Sequence, residues 1–237
     1  MFTGFTDETV DFLWGIRFNN ERSWFEAHKE VYLTQLYRPM VELADELYAH
    51  LADQRPDLGL IRKVTRIYRD ARRLHGRGLY KESLWLSVEQ PGEQWTARPT
   101  FWFEIMPDGW TYGMGYWMPK PLTMAKLRRR MDRRPEDMER LTRRLSEQTE
   151  FVLETEDYKR PKAPAPSPVL EPWYRAKSFT LIHQDKLTEE LFSREVVDRV
   201  KAGWTFLLPY YDYFVTLDGD PDPSEEEASP LTKGGTV

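Results

Sequence analysis

Eight basic side chains lie between residues 62 and 81, in a segment that contains a single acid, Asp70. Guanidinium groups bind phosphate and carboxylate oxygens through paired hydrogen bonds, and an ammonium group adds a compact point charge. The whole chain has a net charge of -5, so positive charge is concentrated here. The basic residues are Arg62, Lys63, Arg66, Arg69, Arg72, Arg73, Arg77 and Lys81. This density predicts a site for an anionic group.

The segment from Val64 to Asp70 is predicted to be a β-strand, with Arg66 on one face and Arg69 on the other. A strand inside a sheet that keeps arginines at alternate positions must pair them, solvate them or present them to a ligand. Arg66 and Asp70 lie about 13 Å apart on an extended strand, too far for a local ion pair. Glu104, the single acid of an aromatic strand, is the expected partner of Arg66.

Residues 71–80 are predicted to form a loop because they contain Gly76 and Gly78. Glycine N–H groups and the flanking basic side chains are able to surround a phosphate or carboxylate. The loop lacks the order of a Walker loop, and no third glycine opens a helix as in a dinucleotide-binding loop. An alternative stays open, in which the loop lies on the surface and its charges meet water or the acidic C-terminal tail.

A second basic run, residues 126–134, lies on and after a predicted helix. Together with the first run it would be able to neutralise nucleic-acid phosphates, or it would form one solvated helix face. The last twenty residues carry six acids and one lysine, and removing these from the 39 acids and 34 bases leaves 33 of each. A neutral body argues against strong nonspecific binding of nucleic acid. An acidic protein is another possible partner for the two runs.

Other chemistries have little support in the residue pattern. The chain has no cysteine, and its four histidines lack the spacing of metal ligands, so neither a metal nor a cofactor is predicted. The sequence has no G-x-S-x-G elbow and no closely spaced carboxylates in an apolar context. Whether the protein is an enzyme stays open.

The elements that must position these residues suggest one α+β domain over residues 1–217. Helices are predicted from Thr6, from residues 19–20 and after a break at Pro39, and a last helix is interrupted at Pro209. Alternation over residues 83–88, 101–106 and 110–116 predicts consecutive antiparallel strands. Further helices begin at residues 121 and 135, and residues 177–183 are predicted as an edge strand. We expect a mainly antiparallel central sheet flanked by N-terminal, middle and C-terminal helices.

Residues 218–237 are predicted to be a disordered acidic tail because they are rich in Asp, Glu, Pro, Gly and Ser. The N-terminal residues lack a basic stretch followed by an apolar run, so no signal peptide is expected. No apolar run approaches the roughly 18 residues of a membrane span. We therefore predict a soluble cytoplasmic protein without a membrane partner.

Several separate stretches resemble one family. They are NNERSWF at residues 19–25, RIYRDAR at 66–72, YK at 80–81, GMGYWMP at 113–119 and WYRAKSF at 173–179. Together they are similar to the blocks of the domain-of-unknown-function family numbered 2461, over roughly residues 2–215. The resemblance implies one domain in which Arg69, Asp70, Arg72, Tyr80 and Lys81 form one unit, but it implies no activity.

The chain departs from the family pattern at residues 73–79, which have the sequence RLHGRGL. Relatives show a Phe-Ser pair and then Asp-Lys-Thr-Pro before the Tyr-Lys pair. An acid and a lysine are therefore missing, with Arg77 as a possible replacement for the lysine. This member is expected to bind without catalysing a reaction if those groups are catalytic in relatives.

The predicted site is a pocket beside the sheet that binds an anionic small molecule. Arginines and Lys81 would supply charge, Asp70 would orient an arginine or accept a proton, and tryptophans would form the wall. The predicted ligand-binding residues are Arg66, Arg69, Asp70, Arg72, Tyr80, Lys81, Glu104, Trp24, Trp102 and Trp117. Two alternatives stay open, an interaction module for nucleic acid or an acidic protein, and a buried ionic lattice without a ligand.

Overall fold

The computed structural model describes residues 1–70, 72, 74, 76, 78–92, 95–160 and 163–228, with backbone only at residues 95 and 226–228. Over these residues the chain forms a single α+β domain, as predicted. Its centre is a six-stranded antiparallel sheet with the strand order β1-β2-β3-β4-β6-β5. The strands are β1 (Ile61–Val64), β2 (Leu84–Glu89), β3 (Thr100–Met106), β4 (Gly109–Tyr116), β5 (Val152–Asp157) and β6 (Ala176–Lys186).

The α-helices of the described residues flank the sheet at the N-terminal, middle and C-terminal parts of the chain. They are α1 (Asp7–Phe18), α2 (Arg22–Val31), α3 (Arg38–Gln54), α4 (Pro121–Arg133), α5 (Pro135–Ser146), α6 (Glu171–Arg175), α7 (Glu195–Val215) and α8 (Pro223–Ala228). The hydroxyl of Thr6 caps α1, and Pro121 and Pro135 stand in the first turns of α4 and α5, where a missing N–H costs no hydrogen bond. Among the described residues no helix combines the length and the apolar character that a membrane span needs.

Alternation along the strands gives the sheet two different faces. On the inner face the side chains of Leu86 and Phe101 are fully buried against α3 and α7. The ring of Phe101 lies 5.3 Å from the ring of Trp204 and 5.0 Å from that of Tyr211, both on α7. The outer face carries the alternate residues of the same strands, including Trp85. The packed inner face therefore fixes which side chains point outward.

The predicted break at Pro39 is wrong, because the chain stays helical from Arg22 to Gln54. A π-helical segment, Tyr32–Tyr37, joins α2 to α3. Pro39 has no N–H to donate to the carbonyl of Gln35, one helical turn earlier. The hydroxyl of Thr9 donates to that carbonyl instead, at 2.6 Å. This replacement lets the helical path continue past the proline.

The predicted strand from Val64 to Asp70 is also wrong, because β1 ends at Val64. Beyond it the chain leaves the sheet and pairs with the segment that precedes β2. The N–H of Lys81 donates to the carbonyl of Ile67 at 2.7 Å, and the N–H of Arg69 donates to that of Leu79 at 2.9 Å. Only Ile67 of this stretch is fully buried, so it has no apolar face to pack into a sheet.

Three further expectations need correction. The strand predicted at an edge, residues 177–183, is the inner strand β6, and β5 forms that edge. Helix α7 continues through Pro209 without a break. The first part of the acidic tail contains a 3-10 turn, Thr216–Gly219, and the short helix α8. Residues 229–237 lie outside the described residues, so disorder there stays a prediction.

Candidate functional site

Two neighbouring clefts lie on the outer face of the sheet, and Trp85 lines both of them. The first, which we call the basic cleft, has a volume of about 600 Å³ and contains Lys63, Arg66, Arg69, Lys81, Trp85 and Glu89. The second, which we call the aromatic cleft, has a volume of about 480 Å³ and contains Trp85, Trp102, Glu104, Trp117, Glu154 and Gln184. The outer face thus forms a groove with two chemically different ends.

Strand alternation and the turn before β2 position the basic cleft. Leu84, Leu86 and Val88 point into the core, so the alternate residues Trp85 and Glu89 point outward. Arg66 and Lys81 come from the two paired segments that leave and re-enter the sheet. The backbone ladder of these segments holds the two cationic side chains at the rim of β1 and β2.

One charge pair in the basic cleft is already neutralised. Glu89 is 1 % exposed and forms an ion pair with Lys63 across β1 and β2. The hydroxyl of Ser87 donates to the second carboxylate oxygen at 2.8 Å. Because Lys63 and Glu89 balance each other, they add little net charge to the cleft.

Arg66 and Lys81 supply positive charge that no close carboxylate balances. In the described part of the chain, no acid lies within ion-pair distance of either side chain. Burial lowers the pKa of Lys81, and the charges of Arg69 and Arg66 lower it further, against a smaller opposite effect of Glu104. The ammonium group therefore stands in a positive field that a bound anion would relieve.

Arg69 is held in place by protein groups. Its Nε donates to the carbonyl of Tyr80 at 2.8 Å, and its Nη2 lies 3.7 Å from the carboxylate of Glu82. Glu82 is shared with Arg17, whose Nε lies 3.1 Å away. Arg69 adds its charge to the basic cleft while it fixes the backbone next to Lys81.

Asp70 and Arg72 form a local pair at the edge of the basic cleft. Asp70 lines the cleft, and its carboxylate accepts hydrogen bonds from the N–H of Arg72 at 3.0 Å and from the guanidinium at 2.9 and 3.1 Å. The side chain of Arg72 is 89 % exposed and does not line the cleft. The arginine that Asp70 orients therefore points to solvent. Arg73 and Arg77 lie outside the described residues.

Tyr80 and Trp24 do not belong to either cleft. The ring of Tyr80 stacks on Phe25 at 4.3 Å, and the amide of Asn20 accepts from its N–H at 2.8 Å and donates to its carbonyl at 3.1 Å. Trp24 stacks on His28 at 3.9 Å in the N-terminal helices. Both aromatic residues support the core, which corrects their prediction as parts of the pocket.

The aromatic cleft is built on the glycines of β4. The rings of Trp102 and Trp117 meet edge to face, with 5.1 Å between centroids. A Cβ at Gly113 would lie 2.8 Å from Trp102, and one at Gly115 would lie 2.7 Å from Trp117. The indoles therefore lie close over the β4 backbone because these two positions have no side chain.

Glu104 lies beside Trp85 and Trp102 and is mostly withdrawn from solvent. Burial raises the pKa of its carboxyl group, which a hydrogen bond from Ser83 and the charge of Lys81 offset in part. The Ser83 hydroxyl donates to Glu104 at 2.6 Å. The expected ion pair between Glu104 and Arg66 is absent, and Lys81 is the cation whose charge acts on Glu104.

The geometry can hold an anion and can move a proton. The pKa values of Lys81 and Glu104 are each shifted towards the neutral form, as is common for groups at functional sites. Among the described residues no group of three or more His, Asp or Glu is arranged to hold a metal. The arrangement does not by itself select a reaction.

The second basic run is partly occupied by the acidic tail. Arg130 on α4 makes a bidentate pair with Asp220, with both distances 2.7 Å. The ammonium group of Lys126 donates to the carbonyl of Asp218 at 3.0 Å. These contacts lie apart from the residues of the two clefts, so the two basic runs do not form one surface around the groove.

The groove residues that are absent from the predicted ligand-binding set include Trp85 and also Lys63, which was named only as a member of the basic run. A signal for both was present, because Trp85 alternates with Leu84 and Leu86, and Lys63 alternates with Arg62 and Val64. The pairing of β1 with β2 places both side chains on the face of the sheet opposite the core. Lys63 and Ser87 are direct partners in that pairing.

Comparison with known proteins supports a family assignment. No curated protein matches the chain. The family model described as "Conserved hypothetical protein (DUF2461)" matches residues 8–213. The match includes every strand of the sheet and all the residues of both clefts. The chain therefore belongs to the DUF2461 family of conserved hypothetical proteins.

Proposed function

We propose that the basic cleft binds the phosphate or carboxylate group of a small molecule. The observation that carries this proposal is the positive charge of Arg66 and Lys81, which no ion pair balances. The remaining lysine of the cleft, Lys63, is already paired with Glu89. The half-buried ammonium group of Lys81 lies next to like charges, which is costly, and an anion that accepts hydrogen bonds from Lys81 and from the exposed Arg66 removes that cost. The proposal also includes a cytoplasmic location and binding without a cofactor.

The test uses inorganic phosphate and isothermal titration calorimetry. Arg66→Ala removes a cation of the cleft, and Arg72→Ala removes an arginine that is 89 % exposed and outside it. We expect Arg66→Ala to weaken phosphate binding about 10- to 100-fold, since a hydrogen bond to a charged group contributes about 1.5–3 kcal/mol. Arg72→Ala is expected to bind phosphate like the wild type.

Three outcomes would contradict the proposal. They are no phosphate binding by the wild type, equal losses in the two variants, or unfolding of Arg66→Ala, which would indicate a structural role for that side chain. An interaction module for nucleic acid would instead bind oligonucleotides with a steep dependence on salt.

A further inference from the structure

The aromatic cleft differs from the basic cleft in charge. Two carboxylates line it, those of Glu104 and Glu154, and no basic residue of the described chain does so. The remaining walls are the three indoles and a few neutral side chains, among them Gln184. A ligand that is purely anionic would meet repulsion at this end of the groove.

The two carboxylates are too far apart to act together on one bond. Glu104 pairs through Thr111 with Gln184, whereas Glu154 pairs with Thr180. Three strand spacings of about 4.8 Å therefore separate them across the sheet, in addition to their offset along β6. Carboxylates that share the hydrolysis of a glycosidic bond lie about 5–9.5 Å apart. A binding role fits this arrangement better than paired acid–base chemistry.

Indole rings beside carboxylates suit a cation with an apolar surface. The face of an indole attracts a cation, and it also packs against the methyl groups of an alkylated ammonium. Trp85 and Trp117 are half-buried, and both line the cleft. A strongly hydrated metal ion would gain nothing from these rings.

We propose that the aromatic cleft binds an alkylated ammonium group, between the indoles of Trp85 and Trp117 and next to the carboxylate of Glu104. Trp85 and Glu104 are direct cross-strand partners, and Trp85 also lines the basic cleft. The two clefts are therefore adjacent enough for one small molecule. If the basic cleft binds an anion, as the proposed function states, one ligand that fills both clefts carries a negative and a positive group. The ligand of the whole groove is then a zwitterion, and this step rests on the proposed function.

Choline and its neutral isostere 3,3-dimethylbutan-1-ol test the cation directly. The two molecules have the same shape and differ in charge. In calorimetry with the intact chain we expect choline to bind at least about 10-fold more tightly, as a desolvated cation–π contact permits. Equal binding of the two would show a merely apolar cleft, and the absence of choline binding would also overturn the inference.

Variants locate the site. Trp117→Leu and Glu104→Gln are each expected to weaken choline binding about 10-fold. Trp14→Leu is the matched control, because Trp14 stacks on Phe18 in α1, away from both clefts. Circular dichroism checks that each variant is folded. Unchanged choline binding in both cleft variants would place the cation elsewhere and overturn the inference.

Phosphate and phosphocholine separate this inference from the proposed function. Phosphocholine is expected to bind more tightly than choline or phosphate alone, and Arg66→Ala should remove the gain while choline binding is kept. Loss of phosphate binding with choline binding retained would refute the proposed function only. Co-sedimentation with phosphatidylcholine vesicles distinguishes a lipid headgroup from a free ligand: binding to free phosphocholine without vesicle binding assigns a small molecule.

Discussion

At the scale of single residues, the two lysines of the basic cleft stand in opposite electrostatic situations. Lys63 neutralises the buried carboxylate of Glu89, whereas Lys81 has like charges beside it. The same change of lysine to methionine should therefore have opposite effects on the free energy of unfolding at the two positions. This contrast separates a ligand site from a purely structural ionic lattice.

Lys81→Met is expected to stabilise the protein at neutral pH when no anion is present. The pKa of Lys81 is lower in the folded state, so its charge costs more free energy there than in the unfolded chain. The variant's gain in unfolding free energy over the wild type is complete below the folded-state pKa of Lys81. It disappears as the pH rises towards about 10.4, the pKa of lysine in the unfolded chain. Denaturant unfolding of the wild type and the variant at pH 7 and pH 10 measures the gain and its loss. Added phosphate should no longer stabilise the variant.

Lys63→Met is the matched comparison and is expected to lower the free energy of unfolding by about 1–3 kcal/mol, because a buried carboxylate loses its partner. Loss of stability in Lys81→Met as well would identify Lys81 as part of a structural lattice and would contradict the ligand site.

At the scale of elements, the turn before β2 connects the basic cleft to the N-terminal helices. Gly78 and Asn20 are in contact, and the amide of Asn20 holds both backbone groups of Tyr80, the neighbour of Lys81. The sequence predicts an anion-binding role for this glycine. Its packing against Asn20 shows a different reason for glycine at this position, since the turn must approach the helical layer closely.

Gly78→Ala is expected to disturb this connection. A Cβ at residue 78 would lie 2.2 Å from the amide of Asn20, so the amide and the Tyr80 backbone must shift. We expect a loss of about 1–3 kcal/mol in unfolding free energy, the usual cost of overpacking, and weaker phosphate binding. Gly92→Ala is the control because, among the described residues other than its chain neighbours, no atom lies within 4 Å of its added Cβ. Similar thermal stability of the two variants would contradict the contact.

At the scale of the whole molecule, an ionic network joins distant parts of the chain. Arg199 on α7 donates to Glu150 at 2.8 and 3.1 Å and to Glu190 at 2.6 Å. The phenol of Tyr112 on β4 donates to the same Glu150 carboxylate. This network lies at the core face of the sheet, and it joins β4 and α7 to the segments that contain Glu150 and Glu190.

The network predicts sensitivity to acid. Burial alone would raise the pKa of Glu150, but hydrogen bonds from Arg199 and Tyr112 outweigh it and lower the pKa. Its stabilising contribution is therefore full above the unfolded pKa of about 4.3 and is lost as the pH falls through the lower folded pKa. Glu150→Gln should lose about 1–3 kcal/mol at pH 7, and its difference from wild type should shrink below about pH 4.

Chemical denaturation from pH 3 to pH 7 measures this difference. Glu147→Gln, an exposed neighbour at the end of α5, is the control and is expected to follow the wild type. A Glu150→Gln profile that coincides with that of the wild type at every pH would show that the network does not contribute.

Elements whose signals are local follow from the amino-acid sequence alone. Alternation located β2, β3 and β4, prolines located the starts of α4 and α5, and Thr6 located α1, because strand period and helix caps depend on near neighbours. Arg66, Arg69 and Lys81 lie close along the chain, and the structure places all three in the basic cleft, whose function stays a proposal.

Which of these side chains share a groove depends on how distant segments pack together. Arg72 is turned to solvent by its pairing with Asp70, and Tyr80 and Trp24 are drawn into the core by the N-terminal helices. Trp85 enters both clefts because β2 pairs with β3, which places it opposite Glu104. The pairing register of the strands depends on contacts between segments that are distant along the chain. The hydrogen bond from the Thr9 hydroxyl to the carbonyl of Gln35 is also such a contact. Local sequence does not encode them, because their free energy arises between segments that are distant along the chain.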